Sequence, residues 1–231
     1  HSTWFKPTSL SNLLELKAQF PEAKIVVGNT EVGIETKFKN AVYPRYISAS
    51  SVPELHYIES TPNQLKIGAC TPLSTIQHYC EEIVHNNSNT NVSNTKIEFA
   101  IWHMLRWFAS TQIRNVASLS GNLVNASPIS DMNPLLASMG AHVEIISSHS
   151  KHIRIVPVKD FFLSYRKVDL QSNEVLTSIV IPRLNMNMNK WTYVLPFKQA
   201  RRREDDISIV TSGILVELEP KDNLYFEIKH A

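Results

Sequence analysis

The chain has 231 residues, 43% of them hydrophobic and 19% charged, which is enough for one large or two small units with a buried core. A formal net charge of +2 gives no electrostatic case for nucleic acid or an anionic membrane, and the basic run Arg201-Arg-Arg203 is cancelled at once by Glu204-Asp-Asp206. Cys70 and Cys80 form neither a Cys-x-x-Cys pair nor a disulfide framework, which favours a reducing compartment and makes the sequons at Asn86, Asn91 and Asn125 accidental.

In chain order, residues 11–20 form a short amphipathic helix halted by Pro21. Residues 24–27 are a buried-strand run ending at Gly28-Asn-Thr30, and residues 33–38 and 45–48 read as the next strands. Ser51-Val-Pro-Glu54 is a capping box opening a short helix to about Glu59. A second block starts with a strand at residues 64–69. Thr71 as N-cap and Pro72 at the first helical position then begin a helix to about Ile83. Residues 85–95 are a polar surface loop and residues 97–109 a strongly apolar helix. Asn133-Pro134 leads a helix to about Met139. Alternating strands follow at 141–147, 152–157, 175–182, 191–198, 207–219 and 224–229. The mixture is α+β, with a first block of about 60 residues, a second block, and a third begun near residue 188. The chain stops inside a strand-like pattern and reads as a piece of something longer; no apolar run approaches the roughly 18 residues of a membrane span.

The segment from Gln112 to Pro134 carries the most chemistry. Ser118-Leu-Ser-Gly-Asn122 offers hydroxyls, N–H groups and a glycine, a set that holds phosphate through dipoles without much net positive charge. Asp131 can accept hydrogen bonds from a ribose or a ring N–H, or serve only as a helix N-cap. Gly28-Asn-Thr-Glu-Val-Gly33 follows a strand, where two glycines permit close backbone approach to an anion. Its spacing is neither Gly-x-Gly-x-x-Gly nor a Walker loop, no helix clearly follows, and a tight strand connection explains it as well. Arg106-Trp-Phe108 can stack on a planar cofactor or simply close a core helix. His78, Cys80, His149 and His152 lack partners at metal-ligand spacing, no Gly-x-Ser-x-Gly elbow occurs, and adjacent Asp205 and Asp206 would point apart in a strand, so no catalytic residue or metal site is assigned.

Taken together and in this order, certain runs resemble the FAD-binding domain of the xanthine dehydrogenase/oxidase family of molybdenum hydroxylases. They are Lys24-Ile-Val-Val-Gly-Asn-Thr-Glu-Val-Gly-Ile-Glu35, Leu105-Arg-Trp-Phe-Ala109, Val116-Ala-Ser-Leu-Ser-Gly-Asn122, Ala126-Ser-Pro-Ile-Ser-Asp-Met-Asn-Pro134, Phe161-Phe-Leu-Ser-Tyr-Arg166 and Phe197-Lys-Gln-Ala-Arg-Arg-Arg-Glu-Asp-Asp206. The resemblance implies an α+β fold of two α/β subdomains (PCMH-type) at residues 1–60 and 61–187. The start of a C-terminal antiparallel β/α flavoprotein subdomain follows at 188–231. It implies FAD between the first two, with the loop after Val27 and a Ser118–Asn122 loop cradling its pyrophosphate.

Carried over position by position, FAD contacts fall on Ile25, Val26, Val27, Gly28, Asn29, Thr30, Glu31, Val32, Phe108, Ser118, Gly121, Asn122, Asp131, Leu176 and Lys198. Leu176 matches an apolar residue beside the flavin ring. Arg106, Trp107, Arg203 and Asp205 match a cluster and loop beside the flavin that would tune NAD access.

The implied role is electron transfer: from iron–sulfur clusters, with purine oxidised at molybdenum elsewhere in the enzyme, to FAD and on to NAD or O2. The [2Fe–2S] and molybdopterin groups are implied in further domains of the same enzyme, which would be a cytoplasmic or peroxisomal homodimer with no nucleic-acid or membrane partner. An aldehyde oxidase flavin module and a non-catalytic paralogue are the alternatives. One departure is Ser120, where the family has glycine in Gly-Gly-Asn. If the position needs positive φ or bare backbone, Ser120 weakens FAD binding; if not, its hydroxyl adds a donor.

Overall fold

The first strands of the chain run parallel, so helices and turns must carry it back between them. The computed structural model describes residues 2–86, 96–150, 152–183, 191–222 and 225–230. β1 (Thr3–Phe5), β2 (Lys24–Val26) and β3 (Arg45–Ser48) form a sheet in the order β1-β3-β2. α1 (Leu10–Gln19) returns from β1; its N-cap Ser9 accepts the Asn12 N–H through the hydroxyl, and Leu13 and Lys17, one turn apart, are its buried face.

Between β2 and β3, the residues expected as a strand form α2 (Val32–Phe38). Ile34, Thr36 and Phe38 alternate in sequence, yet no residue of this helix is buried and Phe38 is 67% exposed. The alternation therefore reported no sheet face. Thr36 donates to the Val32 carbonyl one turn back, a contact that suits a helix, and Glu35 accepts the Tyr43 hydroxyl proton from the chain beyond it. The expected capping box is also absent. Ala49–Ser51 and Pro53–Leu55 are single 3-10 turns, and Glu54 accepts the Leu10 N–H at the start of α1 instead.

β4 (Ile58–Ser60) belongs to a second, antiparallel sheet with β5 (Gln64–Gly68). Thr71 does not cap the next helix: its hydroxyl is engaged with the Tyr57 N–H and carbonyl. α3 (Leu73–Asn86) packs on α4 (Lys96–Leu105). Most of the expected 85–95 loop lies outside the described residues. α5 (Thr111–Arg114), α6 (Leu119–Asn125) and α7 (Met132–Ser138) follow, then the hairpin β6 (His142–Ser147) and β7 (Ile153–Pro157). After α8 (Val158–Phe161), β8 (Phe162–Ser164) pairs with β9 (Lys167–Val168), and β10 (Glu174–Pro182) completes a sheet of order β4-β5-β10-β6-β7.

β10 is the central strand, and residues 174–181 are buried without interruption. The alternation expected over residues 175–182 therefore marks no solvent-facing side, since Glu174, Thr177 and Ser178 are buried along with the apolar residues. A contiguous core joins Leu13 of α1 and Ile47 of the first sheet to Leu65, Ile179 and Ile181 of the second.

β11 (Trp191–Ala200), β12 (Ser208–Asp222) and β13 (Tyr225–His230) form an antiparallel meander. The expected junction at residue 187 lies outside the described residues, as does Leu224. Along β11, Thr192, Val194 and Pro196 turn inward, while Trp191, Tyr193, Leu195 and Phe197 alternate outward. β12 lies hard against α7: a Cβ added to Gly213 would collide with the Leu135 backbone.

Candidate functional site

A cavity of about 650 Å³ lies between the first and second sheets. One wall is the chain from Ile25 to Val32, where β2 hands over to α2. Asn29 makes the turn at φ 58, a left-handed conformation that asparagine tolerates better than most residues, and its carbonyl accepts the Gly33 N–H. Gly28 faces the opposite wall so closely that a Cβ would overlap the Val116 carbonyl. Backbone, not side chain, is what this position presents. A helix does follow the loop, contrary to the sequence expectation, giving a strand–loop–helix unit.

The second wall is residues 117–125. Ser118–Asn122 is not a loop but the N-cap and first turn of α6, with the Ser118 hydroxyl accepting the Gly121 N–H at 3.1 Å. Small residues in this segment, which suggested an open loop, are what let a helix start pack against the Leu73 turn, where Ala117 accepts the Leu73 N–H. Ser120 is helical and buried, and its hydroxyl donates to the Ala69 carbonyl. Ser120 does not sit at positive φ, and its hydroxyl proton is committed within the wall. Asn122 accepts the Ser130 hydroxyl proton at 2.6 Å, so its amide has N–H donors to offer an occupant.

Apolar lining comes from Leu170, Val175, Leu176, Phe108, Ile113 and Cys70. Burial pushes the Cys70 thiol up to about 12, and burial likewise raises that of Cys80, which is fully enclosed on α3. Both thiols are free. The charged lining residues are already partnered: Lys24 with Glu35 at 3.3 Å, Arg166 with Glu31 at 2.9 Å and Asn125 at 3.1 Å, and Glu174 with Arg154 through two hydrogen bonds. Lys17 spends its protons on the Pro21 and Ala23 carbonyls, and burial lowers its pKa. An anion in this cavity is therefore met by dipoles more than by free cations.

Of the expected contacts, residues 25–32, Phe108, Ser118, Gly121, Asn122 and Leu176 line the cavity, whereas Asp131 and Lys198 do not. Those two form a buried ion pair at 2.7 Å, with side chains only 8% and 7% exposed. Asp131 precedes α7 without capping it through its side chain, and its Oδ1 is buried with no partner among the described residues. Burial raises the Asp131 pKa, and Lys198 opposes that rise. Lys198 also donates to the Trp107 carbonyl at 2.8 Å, tying the third sheet to the end of α4.

The Arg106 and Arg203 guanidinium carbons lie 5.4 and 5.8 Å from the Trp107 ring centroid, and Asp205 is exposed at the bend beyond, with φ 47. None of the four lines the cavity. Lys17, Arg166 and Glu174 line it without having been singled out. Lys17 alone left a signal, a lysine one turn from Leu13 on the buried face of an amphipathic helix.

A sequence profile of the family described as "FAD binding domain in molybdopterin dehydrogenase" matches residues 1–184. The chain belongs to this family of FAD-binding domains. Xanthine dehydrogenase 2 of Arabidopsis thaliana is 47% identical over 228 residues, covering 97% of this chain and 16% of that protein. Xanthine dehydrogenase of Oryza sativa subsp. japonica is 46% identical over 217 residues (92% and 15%), and the xanthine dehydrogenase/oxidase of Gallus gallus 41% over 226 residues (98% and 16%). These relatives are oxidoreductases, and the chain spans about a sixth of their length.

The same fold recurs in carbon monoxide dehydrogenase from Hydrogenophaga pseudoflava, at a TM-score of 0.79 and 21% identity over 99% of this chain and 73% of that one. Quinoline 2-oxidoreductase from Pseudomonas putida 86 has it too, with a TM-score of 0.75 and 23% identity over 96% and 70%. The residues present fit the FAD of this family. Bare backbone at Gly28, the Ser118 and Asn122 dipoles and the apolar Phe108 and Leu176 surfaces supply a polar cradle and a flat apolar seat within one cavity.

Proposed function

We propose that this chain holds FAD in the cavity between its first two sheets and serves as the flavin electron-transfer module of a xanthine dehydrogenase-type enzyme. The observation that carries the reading is the cavity itself, with the 25–32 loop on one side and the start of α6 on the other. Bound FAD supplies the redox chemistry; the chain supplies binding, orientation and exclusion of water. In this reading the Gly28 loop and the Ser118–Asn122 turn receive the pyrophosphate, while Phe108 and Leu176 bracket the ring system. Asp131 and Lys198 act outside the cavity lining, with Lys198 holding the Trp107 turn, and reach the cofactor directly only if the pair rearranges on binding.

Electrons arrive from iron–sulfur clusters in a neighbouring domain, after a purine is oxidised at a molybdopterin centre, and leave to NAD or O2. The exposed 201–206 bend, stacked on Trp107 through Arg203, supports a role in controlling acceptor access. The whole enzyme is read as a homodimer in the cytoplasm or peroxisome. Free, buried Cys70 and Cys80 favour such a reducing compartment, and no helix among the described residues is long and apolar enough to cross a membrane.

The test is to purify the chain, denature it and measure released FAD. Folded, colourless protein that takes up no FAD on reconstitution would sink the proposal. Assay of the intact enzyme with hypoxanthine and NAD against an aldehyde and O2 identifies the substrate class.

A further inference from the structure

We infer that Arg114 is a positioning residue for the cavity-facing ring of Phe108, an inference that rests on the FAD reading of the cavity. α4 ends at Leu105, and its last N–H groups close tight turns, Trp107 to Met104 and Phe108 to Leu105. Beyond them the chain reverses through Ala109, which sits at φ 42, a left-handed conformation that an alanine side chain disfavours. The turn's carbonyls point out of the helix end, and cations take them in succession. Lys198 donates to Trp107, and Arg114 Nη1 donates to both Phe108 at 2.7 Å and Ala109 at 2.9 Å. Arg114 Nη2 is held in turn by the Thr111 hydroxyl at 3.1 Å.

Two neighbouring peptide groups bound by one planar guanidinium leave the Phe108 backbone little freedom. That fixes the direction in which its ring enters the cavity. Arg114 itself does not line the cavity, so it acts through Phe108 and not on the cofactor. It also stands at the end of α5, whose first turn is capped by Ser110, so the turn and its clamp form one rigid unit.

The experiment compares FAD-loaded wild-type chain with Arg114→Met, Arg114→Lys, Phe108→Ala and the double variant Arg114→Met/Phe108→Ala. FAD affinity, flavin emission and visible circular dichroism are read, alongside the thermal midpoint of the apo forms. Arg114→Met is expected to weaken FAD binding about tenfold and to change the flavin spectra in the same direction as Phe108→Ala. The double variant should bind no more weakly than Phe108→Ala alone, and Arg114→Lys should restore most of the wild-type signature. Wild-type spectra and affinity in Arg114→Met, or losses that simply add in the double variant, would overturn the inference. Should Arg114→Met not fold, Arg114→Gln replaces it, and the same non-additivity with Phe108→Ala decides. Wild-type chain that takes up no FAD refutes the cavity reading itself, a result distinct from any of these.

Discussion

At the scale of single residues, the site depends on positions where a side chain is either forbidden or already engaged. Gly28→Ala would drive a methyl group into the Val116 carbonyl. It is expected to cost about 2 kcal/mol in urea unfolding and to strip the protein of FAD on gel filtration. Ser120→Ala removes both the proton donated to Ala69 and the 3.2 Å contact with the Ser118 hydroxyl, so a loss of about 2 kcal/mol with flavin retained is the expected result.

Lys198→Met makes a pH-dependent case. Burial raises Asp131 and Lys198 opposes that rise, so without the lysine the folded carboxyl should titrate higher still. A carboxyl raised on folding binds its proton more tightly in the native state, so stability falls as pH climbs from its unfolded to its folded value. The variant should therefore lose stability over a wider pH range than wild type, which denaturant titrations at a series of pH values would register. Sequence alone marked Gly28 and Ser120 as important. It had no means of finding that Asp131 pairs with a lysine 67 positions away, because that pairing is made by the third sheet packing on α4 and α7.

Among elements, those that bury a regular face were readable and those that do not were misread. α1, α3, β5 and β11 announce themselves through buried periodicity. α2 buries nothing, so its alternation carried no information about its backbone. α6 was read as a loop since serine and glycine favour turns, whereas here Ser118 caps and Ser120 packs.

Behind the cavity-lining Glu174 stands Arg154 of the edge strand β7, which binds Glu174 through two hydrogen bonds and the Asp169 carboxylate and carbonyl through two more. Arg154→Met should cost about 2 kcal/mol, less than for a fully buried pair because the arginine is 36% exposed. Burial pushes Glu174 up, but the Arg154 and Gln171 hydrogen bonds outweigh it and hold the carboxyl below the usual glutamate range. Its contribution is fully present above the ordinary glutamate value and is lost as pH falls through the depressed one. Acid titration of wild type against Glu174→Gln should show that component disappear in the variant.

For the molecule as a whole, the α+β character and the strands of the final meander were legible, because each sheet has its own strand pattern. How the units meet was not. The contacts at Gly213 and Lys198 join surfaces far apart in the chain and leave no local pattern. Gly213→Val is expected to lift β12 from α7 and expose residues 191–222 to limited proteolysis while the first two sheets resist. The two thiols add a clock to this architecture. Cys70 lines the cavity and Cys80 lies at 0% exposure on the buried face of α3. Neither is reactive until its surroundings open. Alkylation rates at the two sites thus time separate events, breathing of the cavity wall at Cys70 and collapse of the core at Cys80, and an occupant of the cavity should slow the first far more than the second.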